Sequence, residues 1–218
     1  MKRLHAPTNI WLWQIDLDGM ADADSIAAGI HLLSADELAR ASRFRRHRDR
    51  VRFIVCRATL RRLLADVSGL DAGQLRFRYG SAGKPYLESS ELSFSVSHSE
   101  NRALIAIGSA FVIGVDVEHR RIVEDRCEVA KLAFSEREQR DFAEAGCTSE
   151  AFLYRWTRKE ALVKATGEGV QAMTDYEVLT DSLSGWTFYD LSDWDSIGTL
   201  AVRPAFRPWS NSDHRSVI

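Results

Sequence analysis

Cysteine is scarce in this sequence and carries no framework. Cys56, Cys127 and Cys147 are odd in number and lack metal-ligand spacing, so a reduced, cytoplasmic chain with inert thiols is expected. Long apolar runs are also missing. Met1, Lys2 and Arg3 are not followed by the apolar core of a signal peptide, and residues 11–17 are interrupted by Gln14 and Asp16. No stretch nears the eighteen apolar residues of a membrane span, so no membrane partner is expected. A dominant charge sign is absent too. With 29 Lys and Arg against 31 Asp and Glu, the net charge of −2 argues neither for nor against an anionic partner. No repeat is visible residue by residue. What is present is a chain of 218 residues, 45% hydrophobic, enough for one sizeable core or two small ones.

The periodicities predict an α+β chain. Residues 10–17 alternate and read as a strand, residues 18–25 as a turn. Ser34 caps a helix running to about residue 45, and a second helix covers 49–66. Short strands at 75–79 and 92–97 flank a glycine-rich loop over 80–85, and 103–108 is a buried strand. Ser109 and Ala110 mark a midpoint. The second half opens with a strand at 111–118, continues with helices at 125–133, 135–145 and 149–166, and closes with strands at 176–180, 186–191 and 199–202. Residues 203–218 read as a loosely held tail.

Two segments carry chemistry. In Gly114-Val115-Asp116-Val117-Glu118 the strand period of two sends Asp116 and Glu118 to one face. In the helix that follows, Trp156, Glu160 and Lys164 are four apart and share a face. Either segment alone reads most simply as a solvated surface. Together they bring three hard oxygen ligands beside an ammonium, a set suited to Mg²⁺ holding a phosphate. Trp156 and Phe94 read as core aromatics.

The same residues carry a resemblance. G-V-D-V-E, followed about forty residues later by W-x-x-K-E-A-x-x-K-A-x-G-x-G, resembles the 4′-phosphopantetheinyl transferases of the large, Sfp-like type, in its broader W/KEA subgroup. Upstream, Gly83-Lys84-Pro85 and the F-x-x-S-H-S of Phe94 to Ser99 stand in that family's order, as does the F-S-x-x-E of Phe134, Ser135 and Glu138. The resemblance implies a pseudo-dimer of two similar α+β halves with the active site in the cleft between them. Residues 1–109 would carry the CoA nucleotide contacts, and 110–218 the metal-binding and catalytic helix. It implies transfer of the 4′-phosphopantetheine arm of CoA to a serine of an apo carrier protein, releasing 3′,5′-ADP.

The site residues follow from the same resemblance. Asp116, Glu118 and Glu160 would bind Mg²⁺, or Mn²⁺ in its place. Glu160 would serve as base, directly or through water, and Lys164 would reach the pyrophosphate. His98 and Ser97 would form an anion cup for the CoA 3′-phosphate, with Arg52 and, more weakly, Arg40 directed to it. Lys84 would meet the adenosine end, and Lys159, offset about 100° from Glu160, is placed with the cofactor contacts. Where the family often has a second basic residue, three positions before Arg40, this chain has Glu37. Acyl or peptidyl carrier domains of secondary metabolism or fatty-acid synthesis are the expected partners, and a monomer supplies both halves of the cleft.

One feature favours a different class. Ten arginines lie within residues 40–62. They could be a solvated helix face, a CoA-phosphate site or a nucleic-acid patch. Phe44 and Phe53 are too few aromatics for a stacking platform. A nucleic-acid binder and an inactive CoA-binding homologue are the alternatives. A nucleic-acid binder has no use for the acidic set, and an inactive homologue would be expected to have lost one of the three. Specific nucleic-acid binding is therefore not expected.

Overall fold

Apolar alternation makes β2 (Ile10–Asp16) a strand buried on both faces. Trp13 and Ile15 enter one core, and Ile10 and Leu12 another. The computed structural model describes residues 1–88, 90–180, 182–183 and 185–205. Around β2, in chain order, come β1 (Lys2–Leu4), α1 (Ala23–Leu32), α2 (Ala35–Ser42), α3 (His47–Ser68), β3 (Phe77–Tyr79), β4 (Pro85–Leu87), β5 (Leu92–Ser99) and β6 (Arg102–Ser109). The second half contains β7 (Phe111–His119), α4 (Arg126–Ala133), α5 (Glu136–Glu144), α6 (Ser149–Thr166), a 3₁₀ helix (Val170–Asp175), β8 (Ser182–Leu183), β9 (Trp186–Asp190) and β10 (Ser196–Pro204).

Each half builds one four-stranded sheet, ordered β1-β2-β6-β5 and β7-β10-β9-β8. The layers follow from which side chains share a face. Val51, Val55, Leu60 and Leu64 of α3 pack on Trp13, Ile15, Ile105 and Ile107. Leu12, Leu104 and Ala106, on the opposite face of that sheet, meet Val115, Val117, Leu200 and Val202 of the second sheet. Beyond it, α6 lays Ala161, Leu162 and Ala165 on Phe188 and Ala201. The result is helices, sheet, sheet, helices, and the two sheet-containing halves match the expected pseudo-dimer. No helix among the described residues is long and apolar enough to cross a membrane.

The sheets meet at β5 and β7, each at the edge of its own sheet. Alternation in β5 sends Phe94 toward α3 and serines 93, 95, 97 and 99 toward β7. The Ser93 hydroxyl donates to the Phe111 carbonyl. Ser95 Oγ accepts from Val115 N at 3.1 Å, and Ser99 Oγ accepts from His119 N at 3.0 Å. Hydroxyls thus satisfy backbone groups of β7 that a strand ladder would otherwise pair. Between β6 and β7 stands one residue, Ala110, in the left-handed region at φ 63°.

On its other side β7 meets α6, and Gly114 marks the contact. A Cβ there would strike the Ala161 carbonyl and lie 2.6 Å from Ala165 N, both backbone atoms that cannot swing aside. Overpacking usually costs ~1–3 kcal/mol, and a backbone collision should exceed that range. Gly114→Ala is therefore expected to lower the urea midpoint sharply. An unchanged midpoint would mean that α6 does not press on β7 at this residue.

Three departures from the sequence reading have local causes. Residues 18–25 are not all turn, because Asp22 caps α1, its carboxylate accepting from Ser25 N at 2.8 Å. Residues 176–180 form no strand. Their backbone is held by side chains: Tyr176 O accepts from Lys159, and Val178 N donates to Glu138. Of the supposed tail, Arg203 and Pro204 end β10, while 206–218 lie outside the described residues.

Candidate active site

A cavity of about 430 Å³ opens between the two halves. Phe53, Cys56, Leu60 and Phe94 give it an apolar floor, while Arg40, His98, Glu160 and Lys164 line it with charge and hydrogen-bonding capacity. β5 contributes His98, β7 the acidic strand beside it, and α6 the two residues one turn apart.

Lys164 is the centre of the cluster. Its ammonium lies 2.6 Å from Asp116 Oδ1, 3.1 Å from Ser97 Oγ and 3.5 Å from Glu160 Oε2. Burial alone would lower its pKa, but Asp116 and Glu160 outweigh burial and raise it. Asp116 Oδ1 also accepts from Ser97 at 2.7 Å, whereas Asp116 Oδ2 is buried and finds no hydrogen-bond partner among the described residues. Glu118 accepts from Ser99 at 3.2 Å and pairs with Arg121 at 3.2 Å. Burial, then the neighbouring Asp116, raises the Glu118 pKa. Glu160 is raised first by burial; Asp116 and Glu118 add to this and Lys164 opposes it.

Asp116, Glu160 and Lys164 therefore come together as the spacing predicts. The three carboxylates do not close into a ligand set as placed: among the described residues no group of three acidic, imidazole or thiol side chains is poised to hold a metal. The donor chemistry still fits a hard cation. An orphaned buried carboxylate oxygen and two carboxylates with raised pKa values gain from added positive charge.

The expected nucleotide contacts divide. His98 lines the cavity, its pKa held down by partial desolvation and then by Lys164, Arg52 and Arg40. Arg40 also lines it, with its guanidinium 5.5 Å from the Phe53 ring centroid. Ser97 does not join His98. Neighbours on a strand face opposite ways, so Ser97 turns to Asp116. Arg52 is clasped by Asp18, at 2.8 and 2.9 Å, and by Glu100 at 3.3 Å. Lys84 lines the cavity with its stem, but its ammonium donates to the Ala165 carbonyl at 2.6 Å and the Ile113 carbonyl at 3.3 Å. Lys159 does not reach the cavity. Its ammonium is fully buried, 2.6 Å from Glu138 Oε2, and donates to Met173 O and Tyr176 O. The 100° offset from Glu160 carries it into the core of its own half.

Glu37 was missed as a structural residue. It is 2% exposed, accepts from Ser34 N at 2.9 Å, and holds Arg57 Nε at 2.6 Å and Arg61 Nε at 2.7 Å. The arginine tract thus divides. Arg52, Arg57 and Arg61 are internal partners of carboxylates and Arg62 is half-buried, while Arg40, Arg43, Arg45, Arg46, Arg48 and Arg50 are exposed, with Arg48 pairing with Asp18 at 2.6 Å. The serines at 93, 95, 97 and 99 were also missed as a unit, although their spacing of two was visible in the sequence.

Comparison with known proteins converges on the same chemistry. Residues 112–214 match the description 4′-phosphopantetheinyl transferase superfamily, and residues 21–109 match 4′-phosphopantetheinyl transferase, N-terminal. The 4′-phosphopantetheinyl transferase HetI of Nostoc sp. (strain PCC 7120) is 39% identical over 177 residues, covering 78% of this chain and 73% of its own. The 4′-phosphopantetheinyl transferase Sfp of Bacillus subtilis (strain 168) is 25% identical over 181 residues, 80% of each chain. An L-aminoadipate-semialdehyde dehydrogenase-phosphopantetheinyl transferase of Saccharomyces cerevisiae is 31% identical over 113 residues, covering 48% of this chain and 42% of its own. None of these similarities supports the nucleic-acid alternative. With both halves matched, and with the acidic strand and the Glu160–Lys164 helix meeting at one cavity, this chain belongs to the 4′-phosphopantetheinyl transferase superfamily.

Proposed function

We propose that the cavity takes the nucleotide end of CoA and that the cluster at its mouth transfers the phosphopantetheine arm to an apo acyl or peptidyl carrier domain. Family membership carries CoA and carrier-protein substrates and, by analogy with related transferases, dependence on Mg²⁺. The observation that carries the finer reading is the meeting of Asp116, Glu160 and Lys164, with Asp116 Oδ2 left unpartnered, beside a cavity shared by both halves.

Asp116, Glu118 and Glu160 would hold the metal. Mg²⁺, when bound, would neutralise pyrophosphate oxygens and help to align the displacement. Glu160, its pKa raised, would take the proton of the carrier serine as the serine oxygen bonds to the phosphorus of the pantetheine phosphate. The bond from that phosphorus to the bridging oxygen breaks, and the adenosine-side phosphate departs within 3′,5′-ADP. Lys164 would stabilise its charge. His98 and Arg40 would read the 3′-phosphate from the cavity wall. On this reading residues 1–109 carry the nucleotide and 110–218 the metal and the chemistry, in one cytoplasmic monomer. Carriers of secondary-metabolite or fatty-acid synthesis are the candidate substrates.

The direct test is incubation with CoA, Mg²⁺ and a panel of apo carrier proteins, read by mass. One added phosphopantetheine on at least one carrier, lost in excess EDTA, is expected. No gain on any carrier would overturn the reading. The phosphate contact has its own test: His98→Ala should weaken CoA by about tenfold or more, as for a hydrogen bond to a charged group, and 3′-dephospho-CoA much less. Equal losses for the two ligands would remove His98 from the 3′-phosphate.

A further inference from the structure

The Lys84 ammonium is the unusual cation of this molecule. It is largely buried and, among the described residues, has no carboxylate within ion-pair distance; burial lowers its pKa to about 8. Its acceptors are two carbonyls of the other half. Ala165 O, at 2.6 Å, belongs to the last turn of α6, where carbonyls have no partner within the helix. Ile113 O, at 3.3 Å, belongs to β7, three residues before Asp116. The stem of Lys84 crosses over Gly167, the left-handed residue that ends α6; a Cβ at Gly167 would lie 3.2 Å from Lys84 Cδ. Lys84 therefore joins the loop between β3 and β4 to both elements that carry the acidic cluster. It also places positive charge at the negative end of the α6 dipole, beside the cavity.

We propose that Lys84 is a positioning residue: it fixes the end of α6 against β7 so that Glu160 and Lys164 face Asp116. The proposal rests on the transferase reading for its kinetic consequence, and on geometry alone for its structural one. Two of the ammonium's three donors are already committed to Ala165 and Ile113. A lysine serving chiefly as a nucleotide ligand would hold them free for phosphate.

The structural test uses the protein alone. Lys84→Met keeps the stem and removes the charge, while Lys84→Arg keeps the charge and the donors. Hydrogen exchange of the amides at 163–169 should speed up by about tenfold or more in Lys84→Met, because the helix end opens locally, and stay within about threefold of the wild type in Lys84→Arg. With CoA and an apo carrier, kcat at saturating CoA should fall by roughly 10–100-fold in Lys84→Met, as a small misplacement of reacting groups can cost. The KM for CoA and the affinity for 3′,5′-ADP should move less than about threefold, and Lys84→Arg should restore most of kcat. Should Lys84→Met fail to fold, Lys84→Gln, with a neutral donor, carries the same comparison. Weakened CoA and 3′,5′-ADP binding with kcat and exchange unchanged would make Lys84 a nucleotide ligand and overturn the proposal. A chain that transfers nothing would defeat the transferase reading, while the exchange result would still decide whether Lys84 holds α6.

Discussion

Asp116→Asn is expected to lower transfer from CoA to an apo carrier by about 10³-fold while leaving the chain folded, a loss of several kcal/mol of transition-state stabilisation. The substitution keeps the size of the side chain and an oxygen for Ser97. It removes the charge that Lys164 meets at 2.6 Å and the buried oxygen Oδ2 that finds no hydrogen-bond partner among the described residues. Stability should change little, because Lys164 is about a third exposed and can turn to solvent. The measurement is carrier mass gain against time, with circular dichroism on the same sample. Turnover within tenfold of the wild type would place the metal elsewhere, and full activity in excess EDTA would remove the metal from the reaction.

The second large effect concerns stability. Lys159→Met should destabilise the protein by about 3–5 kcal/mol, since breaking a buried ion pair strands the surviving charge. Glu138 is fully buried; it accepts from Ser135 N at 2.8 Å and Val178 N at 2.7 Å as well as from Lys159. Without the ammonium its carboxylate would lose its counter-charge beside the apolar core of Phe134, Phe142 and Phe152. For a domain of this size the melting temperature should fall by roughly 6–20 °C. Adding Glu138→Gln to Lys159→Met should cost less than the two single changes summed, which a double-mutant cycle reads directly. A melting temperature within two degrees or so of the wild type for Lys159→Met would show that the pair stabilises nothing.

What could be read from the sequence is what short-range geometry encodes. Period two on β7 sets Asp116 and Glu118 on one face, and period four on α6 sets Glu160 beside Lys164. The helix cap at Ser34 depends only on a residue three positions on. Several of the misreadings involve partners distant in sequence. Glu37 stands where a basic nucleotide contact is common, and its role appears only once Arg57 and Arg61 arrive from α3. Lys159 and Glu160 are adjacent and equally polar, and their opposite fates depend on which side of α6 meets Glu138. Ser97 and His98 share the S-H-S motif, yet a strand sends neighbours to opposite faces. The segment 176–180 has strand-forming residues, but Lys159 and Glu138 take backbone groups that a strand would have needed.

Each half has its own sheet and its own helices, and a single residue, Ala110, links β6 to β7, so the chain looks easy to divide. The line of serines along β5 argues otherwise. Cut apart, the first half would expose β5 as a bare sheet edge with its hydroxyls facing water, and the second would expose β7 with its backbone amides unanswered. A bare strand edge recruits other strands, and its natural fate is sheet-to-sheet aggregation. The two halves shield each other from that outcome, which makes their covalent union a matter of solubility as well as of catalysis.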